Sequence, residues 1–274
     1  MTAGTIYHLC FDRFSYYGLY GNYLPDLEND GKVELTIAPA VGACPSFVNA
    51  GAQVTVSGTG ALTLSPPLPA TRTNGNVLIA VCRMDLPLSS TGAGSGLSCT
   101  GFNDLGIGRY MGENWPSVII AFYFVDGSEA PPVFSTGSGA NPYNLTAQVF
   151  QYAGVEQFYQ WDIFAKWYTS GYYIQWQGGS SWGSSDSGGV TPVRCPAGVQ
   201  SYPYSLLINL TMYRPTETYT PSTPPGFTSR NITPNNWNLS DRQLGGDITG
   251  TIPAISLPET PTAWSCIQLE LRSQ

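Results

Sequence analysis

Hydrophobic and polar residues alternate with a period of two in short runs along most of this 274-residue chain. The clearest alternating runs are 33–37, 54–56, 62–64, 147–151, 206–212 and 265–271, and continuous apolar runs occupy 77–81 and 118–125. Such runs, separated by Gly, Pro, Ser and Thr clusters, predict β-strands. The best helical candidate, 157–167, is rich in aromatic residues and suits a strand or a loop equally well. Many short strands at fairly even spacing predict an all-β sandwich or barrel.

Two halves of the chain repeat a similar order of elements. Each half contains an apolar strand, a Gly-Phe turn and a closing strand. These are 76–83, 101–102 and 145–152 in the first half, and 205–212, 226–227 and 263–271 in the second. The distance from Leu78 to Gly101 is 23 positions and that from Leu207 to Gly226 is 19, so the register is loosely kept. We therefore predict an internal duplication.

Neither half supplies enough strands to bury its own sheet, so we predict one two-sheet, jelly-roll-like β-sandwich over residues 51–274. Its halves would be about 51–155 and 190–272, joined by a crossing at 156–189. Residues 1–50 do not fit the repeat, and we predict an N-terminal aromatic-rich arm or small subdomain. The aromatic residues expected to dock this arm on another subunit are Phe11, Phe14, Tyr16, Tyr17, Tyr20 and Tyr23.

Composition then excludes several classes of protein. Charged residues make up 11 % of the chain, where an average globular chain has roughly 25 %. The net charge is −7 and the only lysines are Lys32 and Lys166, which disfavours nucleic-acid binding. No apolar run is long enough to span a membrane, and the N-terminus lacks the features of a secretion signal, so we expect neither membrane association nor a signal peptide.

The six cysteines include no C-x-x-C pair, and His8 is the single histidine, so we predict no zinc site and no cofactor. The favoured interpretation of the cysteines is that of small buried hydrophobic residues. A disulfide such as Cys82–Cys99 or Cys10–Cys44 stays open as an alternative for an oxidising environment.

Candidate catalytic residues are weak. The string SDSGG at 185–189 resembles a serine-protease nucleophile loop, but His8 lies too near the N-terminus and in the wrong context to be its base. Acids cluster at Asp26, Glu28, Asp30 and Glu34, yet nothing pairs them across a cleft as a glycosidase requires. We therefore predict no catalytic residues and no enzymatic activity.

A dense aromatic segment lies in the predicted crossing. Its members include Trp161, Trp167, Tyr172, Tyr173, Trp176 and Trp182. Aromatic rings of this kind fill a sandwich edge or a subunit interface, which is the favoured interpretation. Stacking on the sugar rings of a glycan is the alternative.

Several segments carry a resemblance to a known group of domains. They are GTGALTLS at 58–65, NGNVLIAV at 74–81, TGF at 100–102, VFQYAGV at 149–155 and the closing strand that bears Trp264. In this order they resemble the jelly-roll-like β-sandwich domains of tailed-bacteriophage virion structural proteins, over about 200 residues. The motifs are framework signatures, so the resemblance speaks to fold strongly and to function weakly.

The resemblance and the composition together give an expected function. We expect a non-enzymatic structural protein on the outer surface of a tailed-phage virion, either a capsid decoration protein or a head- or tail-fibre component. Its partners would be other virion proteins and copies of itself, in a trimer by analogy with other phage sandwiches. The alternative is a receptor- or glycan-binding module of the tail that uses Trp161, Trp167, Tyr172 and Trp176. A polysaccharide-degrading enzyme comes third.

Overall fold

The computed structural model describes residues 7–10, 32–35, 44–85, 97–105, 117–137, 142–156, 175–179, 194–195, 198–199, 204–213, 220–231, 236–244, 251–252, 255–256, 258–259, 264–271 and 273. Within these ranges the chain forms twenty β-strands and no helix. Every strand pair described there is antiparallel. The all-β prediction is confirmed. No helix in the described ranges has the length and hydropathy needed to cross a membrane.

The strands are numbered in chain order. The first ten are β1 Tyr7–Cys10, β2 Lys32–Leu35, β3 Ser46–Ala50, β4 Val54–Thr59, β5 Thr63–Leu64, β6 Val77–Asp85, β7 Ser98–Thr100, β8 Asn103–Asp104, β9 Ser117–Phe124 and β10 Val133–Ser135. The second ten are β11 Pro142–Ala153, β12 Gln175–Gly179, β13 Arg194–Cys195, β14 Gly198–Val199, β15 Leu206–Tyr213, β16 Thr228–Ser229, β17 Trp237–Gln243, β18 Thr251–Ile252, β19 Ile255–Ser256 and β20 Trp264–Leu271.

The first sheet has the strand order β3-β11-β6-β9-β8. Its longest strand, β11, pairs with β4 along its first half and with β3 along its second half, and the register shifts between Gln151 and Tyr152. The central strand β6 is almost continuously apolar, and every residue from Val77 to Met84 is buried. Such a run forms a strand here because both faces of the sheet are covered.

The second sheet has the strand order β12-β20-β15-β17-β16. Its central strand β15 pairs with β17 on one side and with β20 on the other. The central strand of the first sheet, β6, likewise pairs with the next long strand, β9, and with the closing strand, β11. The two sheets therefore place their long strands in the same sequential order.

One apolar core, which we call the inner core, joins the two sheets. Its members from the first sheet and its adjoining segments are Val77, Ile79, Val81, Leu105, Val118, Ile120, Phe122, Phe150, Tyr152 and Val155. Its members from the second sheet are Leu206, Ile208, Leu210, Met212, Trp237, Leu239, Leu269 and Leu271. The rings of Phe150 and Trp237 meet edge to face with centroids 6.2 Å apart. Two antiparallel sheets that bury a shared core in this way give the described part of the chain a sandwich-like fold.

A third layer covers the other face of the first sheet. Strands β5, β10 and β7 form a three-stranded sheet, the cover sheet, in the order β5-β10-β7. It encloses an outer core that includes Leu64, Leu78, Ala80, Cys82, Met84, Phe102, Ile119, Ala121, Phe134, Leu145, Ala147 and Val149. Gly101 turns the chain between β7 and β8 with a φ of 87°, a conformation that favours glycine, and Phe102 then packs against Tyr123.

Residues 1–42 and 43–274 form separate compact units. In the smaller unit, β1 pairs with β2. Strand β3 lies inside the predicted arm of residues 1–50 but pairs with β11, because Phe47 packs against Tyr152 and the inner core. Strand β12 lies inside the predicted crossing of residues 156–189 but pairs with β20. The helical candidate at 157–167 lies outside the described residues.

Candidate functional site

The structure describes few of the residues predicted to form a functional site. Those that lie outside the described residues are Phe11, Phe14, Tyr16, Tyr17, Tyr20, Tyr23, Trp161, Trp167, Tyr172, Tyr173 and Trp182. The serine-containing string at 185–189 and the acids Asp26, Glu28 and Asp30 also lie outside them. His8 and Glu34 fall on the paired strands β1 and β2.

Trp176 is the one member of the predicted aromatic segment that the structure places. It is the second residue of β12, and its cross-strand partner on β20 is Ile267. Strand β12 ends the strand order of the second sheet. Trp176 therefore lies on an edge strand of that sheet.

A charged group at one end of the inner core links the two sheets. Arg230 holds the carboxylate of Asp241 with two hydrogen bonds, from Nε to Oδ2 at 2.8 Å and from Nη2 to Oδ1 at 2.7 Å. The Arg230 guanidinium carbon also lies 4.5 Å from the ring centroid of Phe47 on β3. Because Asp241 belongs to β17 and Phe47 to β3, this group ties the second sheet to the first. The hydrogen bonds to Asp241 raise the pKa of Arg230 further above its ordinary value.

The hydroxyl of Tyr152 lies in the same region. Burial raises the pKa of this hydroxyl well above its ordinary value, and the nearby negative charge of Asp241 raises it further. Tyr152 also contacts Phe47 edge to face, with ring centroids 5.7 Å apart. The hydroxyl therefore stays protonated at physiological pH.

A second charged tie lies deeper in the sandwich. Arg83 on β6 is 2 % exposed and donates from Nη2 to the backbone carbonyl of Tyr213 on β15, at 2.7 Å. Its Nε donates to the carboxylate of Asp85 at 2.6 Å. Burial lowers the pKa of Arg83 and raises the pKa of Asp85, and the attraction within the pair opposes both changes. The pair satisfies the buried Arg83 charge and one carbonyl of the opposite sheet, so removing either charged partner would leave the other charge unpaired.

The other two arginines whose side chains the structure describes also act within the chain. Arg72 donates from Nε to Glu129 at 2.7 Å, and this hydrogen bond lowers the pKa of the Glu129 carboxyl. The guanidinium of Arg242 lies 5.7 Å from the ring centroid of Phe227. All four described arginine side chains are thus engaged with residues of their own chain. Sequence reasoning missed these contacts because their partners lie on other strands or loops.

The outer face of the second sheet is buried and largely polar, although Leu207 packs there against Leu244 and Phe227. Its buried polar residues are Asn209, Thr211, Asn238, Ser240 and Glu270. Asn238 donates from Nδ2 to the carbonyl of Pro221 and to Oγ1 of Thr223, both at 3.1 Å, and its Oδ1 accepts from Ser229 at 3.0 Å. We call this surface the polar outer face. It is a hydrogen-bonded layer, and the alternating pattern of β15 gave no signal that its polar positions would be buried.

Two cysteines among the described side chains face the outer core. Cys82 on β6 is fully buried there, which confirms the expectation of a small buried residue at that position. Cys99 on β7 is half-buried and packs against the same core. The sulfur atoms of Cys82, Cys99 and Cys44 form no disulfide in the structure. Strand β13 contains Cys195 and strand β20 contains Cys266.

The ion pairs of Arg83 and Arg230 link the two sheets of the sandwich. Within the described ranges, no three His, Cys, Asp or Glu side chains lie close enough together to hold a metal ion. Arg83 is paired with Asp85 and Arg230 with Asp241, and the buried carboxylate of Glu270 accepts a hydrogen bond from Ser205.

The chain was compared with protein-family models, with curated proteins and with solved structures, and none of the three comparisons found a match.

Proposed function

We propose that this chain is a non-enzymatic structural protein of the exterior of a tailed-phage virion, a capsid decoration protein or a head- or tail-fibre component. The observation that carries the proposal is the use of the described arginines. All four hold parts of their own chain together, at Glu129, Tyr213, Asp241 and Phe227. A chain that is poor in charge, and whose described arginines contact residues of their own chain, is suited to a rigid building block and not to binding nucleic acid.

The proposal includes a duplicated, jelly-roll-like framework. It is supported by the matching strand orders of the two sheets and by hydrogen bonds at matching places. Val125 donates to the carbonyl of Asn76 just before β6, and Leu244 donates to the carbonyl of Ser205 just before β15, each at 2.8 Å. The Gly-Phe turns also match. Gly226 has a positive φ of 78° and precedes Phe227, and Gly101 has a positive φ of 87° and precedes Phe102.

The proposed mechanism is assembly. The sandwich supplies a stiff body, and the aromatic residues of the N-terminal arm, from Phe11 to Tyr23, dock on a neighbouring subunit. Tyrosine and phenylalanine supply large contact areas with few rotatable bonds, so they suit such an interface. The assembled form would be a homo-oligomer on the outer surface of the particle, and a trimer by analogy with other phage sandwiches.

The test is quantitative mass spectrometry of tailed particles purified by density banding from a lysate in which this chain is produced. We expect the chain to band with the particles at a fixed copy number. A high copy number identifies a decoration protein, and a low one a fibre or tail component. A chain that stays entirely in the soluble fraction would contradict the proposal.

Two variants test the docking role of the arm, one in the arm itself and one on the sandwich as a matched control. Replacing Tyr16 and Tyr20 by Ser should reduce incorporation into particles at least tenfold and leave the thermal unfolding midpoint of the purified chain unchanged. Replacing Val48 by Ser, an exposed apolar residue of β3, should leave incorporation unchanged.

A receptor- or glycan-binding module is the second candidate. The observation that favours it is the place of Trp176 on the edge strand β12. Under this candidate, Trp167→Ala and Trp176→Ala reduce adsorption of the particles to cells and leave the copy number per particle unchanged. Under the structural proposal, the same variants leave adsorption intact or lower the copy number.

A further inference from the structure

Two cysteines approach the outer core from opposite sides. Cys82 is the sixth residue of β6 in the first sheet, where its cross-strand neighbours are Ile119 and Ala147. Cys99 is the middle residue of β7 in the cover sheet, opposite Phe134. The residues on either side of Cys99 are exposed, whereas Cys99 packs against the outer core that contains Cys82. Both side chains therefore point into the layer between the two sheets.

The two thiols also influence each other electrostatically. Burial is the main cause that raises the pKa of Cys82, and the negative charge of an ionised Cys99 is the next. Facing sheets lie about 10 Å apart, and in immunoglobulin sandwiches a disulfide spans such a gap from inward-facing cysteines. Cys82 and Cys99 likewise point inward from two facing sheets.

We propose that Cys82 and Cys99 are a redox pair that closes into a disulfide between the central strand β6 and the cover sheet when the protein meets a small-molecule disulfide such as oxidised glutathione. The inference does not rest on the virion assignment, because it uses only the facing strands and their thiols.

The chemistry is thiol–disulfide exchange. Cys99, which is the more exposed thiol, loses its proton, and its thiolate attacks one sulfur of oxidised glutathione and releases one glutathione thiolate. Cys82 then loses its proton and attacks the Cys99 sulfur of the mixed disulfide, which releases the second glutathione thiolate. The two released thiolates take up the two protons. The protein thus loses two electrons to one glutathione disulfide, which is reduced to two glutathione molecules.

The environment of the Cys82 thiol suits the second step, its attack on the mixed disulfide, and not the first attack on oxidised glutathione. It is fully buried, and its Sγ lies 3.9 Å from the backbone carbonyl of Arg83, to which it donates. Once Cys99 forms the mixed disulfide it carries no charge, so one of the causes that oppose ionisation of Cys82 is removed. The closed bond would join residues 82 and 99, and closure of a loop of this length stabilises the folded state.

The experiment uses the full chain, reduced and then incubated with oxidised glutathione. Remaining thiols are blocked with N-ethylmaleimide under denaturing conditions, and the protein is digested with trypsin without reduction. Cleavage after Arg72, Arg83 and Arg109 places Cys82 in the peptide 73–83 and Cys99 in the peptide 84–109, so the bond appears as a linked pair of peptides. We expect this pair as the major product, and we expect it to disappear on reduction.

Two variants sharpen the result. Cys44→Ser removes another half-buried thiol and should leave the linked pair intact. Cys99→Ser should abolish the pair and leave Cys82 blocked by N-ethylmaleimide. Oxidation should raise the thermal unfolding midpoint by about 5–10 °C in the native chain and in Cys44→Ser, and not in Cys99→Ser. The proposal is overturned if Cys99 carries glutathione while Cys82 stays a free thiol, or if Cys99 is linked to a different cysteine.

Discussion

The outer faces of the two sheets differ in chemistry although their strands pair in the same order. In the first sheet, Cys82 on β6 lies opposite Ile119 on β9, and both belong to an apolar core. In the second sheet, Thr211, at the same place along β15, lies opposite Asn238 on β17, and both are buried and polar. The backbone pairing therefore does not decide the chemistry of a buried face. The covering layer decides it. The cover sheet presents apolar side chains to the first sheet, whereas the loop around Pro221 presents hydrogen-bond partners to the second.

Exchanging residues between the two outer faces should lower the free energy of unfolding most in the first sheet. Ile119→Asn copies the residue at position 238 into the outer core, whose members are apolar side chains and the Cys82 thiol. We expect a loss of about 5 kcal/mol in the free energy of unfolding, from lost apolar burial and an unpaired polar group. Denaturant titration measures it. The control Ile119→Val should cost about 1 kcal/mol, and a loss that small for Ile119→Asn would show that the cover sheet adapts to a polar residue.

The buried ties offer a second exchange. Arg83 and Met212 are each the seventh residue of their strands, β6 and β15. Arg83→Met removes the donor to the Asp85 carboxylate and to the Tyr213 carbonyl and leaves the Asp85 charge unpaired, so we expect a loss of about 3 kcal/mol. The double variant Arg83→Met with Asp85→Asn removes the unpaired charge and should recover at least half of that loss. Equal losses for the single and double variants would mean that the charge of Asp85 does not matter.

The reverse exchange in the second sheet should be milder. Asn238→Ile leaves the Pro221 carbonyl and the Thr223 hydroxyl without their donor but adds an apolar side chain of similar size. We expect a loss of about 2 kcal/mol. A gain in stability, measured by the same denaturant titration, would show that the polar outer face is not held by its hydrogen bonds.

The smallest expected effect concerns the pair of Arg72 and Glu129, in which the arginine side chain is partly exposed. The pKa of Glu129 lies below its ordinary value of 4.5. Because the folded state lowers this pKa, the pair contributes its full stabilisation above pH 4.5, and the contribution is lost as the pH falls through the lower folded value. Glu129→Gln should therefore lower the unfolding midpoint slightly at pH 6, by the equivalent of less than about 1 kcal/mol, and by less at pH 3. A difference of the same size at both pH values would contradict this assignment.

The sequence predicted the all-β class and most of the long strands, because their hydrophobic patterns are local. The runs at 77–81 and 118–125 correspond to β6 and β9, and the run at 206–212 to β15. The polar outer face could not be predicted in this way. A residue such as Asn209 in an alternating strand signals water on one side, and its burial depends on segments that fold over it from elsewhere in the chain.

The charged ties were beyond sequence reasoning for a related reason. Arg83 and the carbonyl that it contacts at Tyr213 are 130 positions apart, and Arg230 meets Phe47 from the other half of the chain. Neither contact leaves a local pattern. The aromatic docking and glycan candidates, apart from Trp176, lie outside the described residues, so they stay predictions.

The central claim, that this chain is an exterior structural component of a tailed-phage virion, is tested most directly by electron cryomicroscopy of the purified particles. The account predicts density for the sandwich on the outer surface, repeated by the symmetry of the head or tail, with residues 11–23 in contact with a neighbouring subunit. Particles that carry no such density, or that hold the chain only inside the head against the DNA, would contradict it.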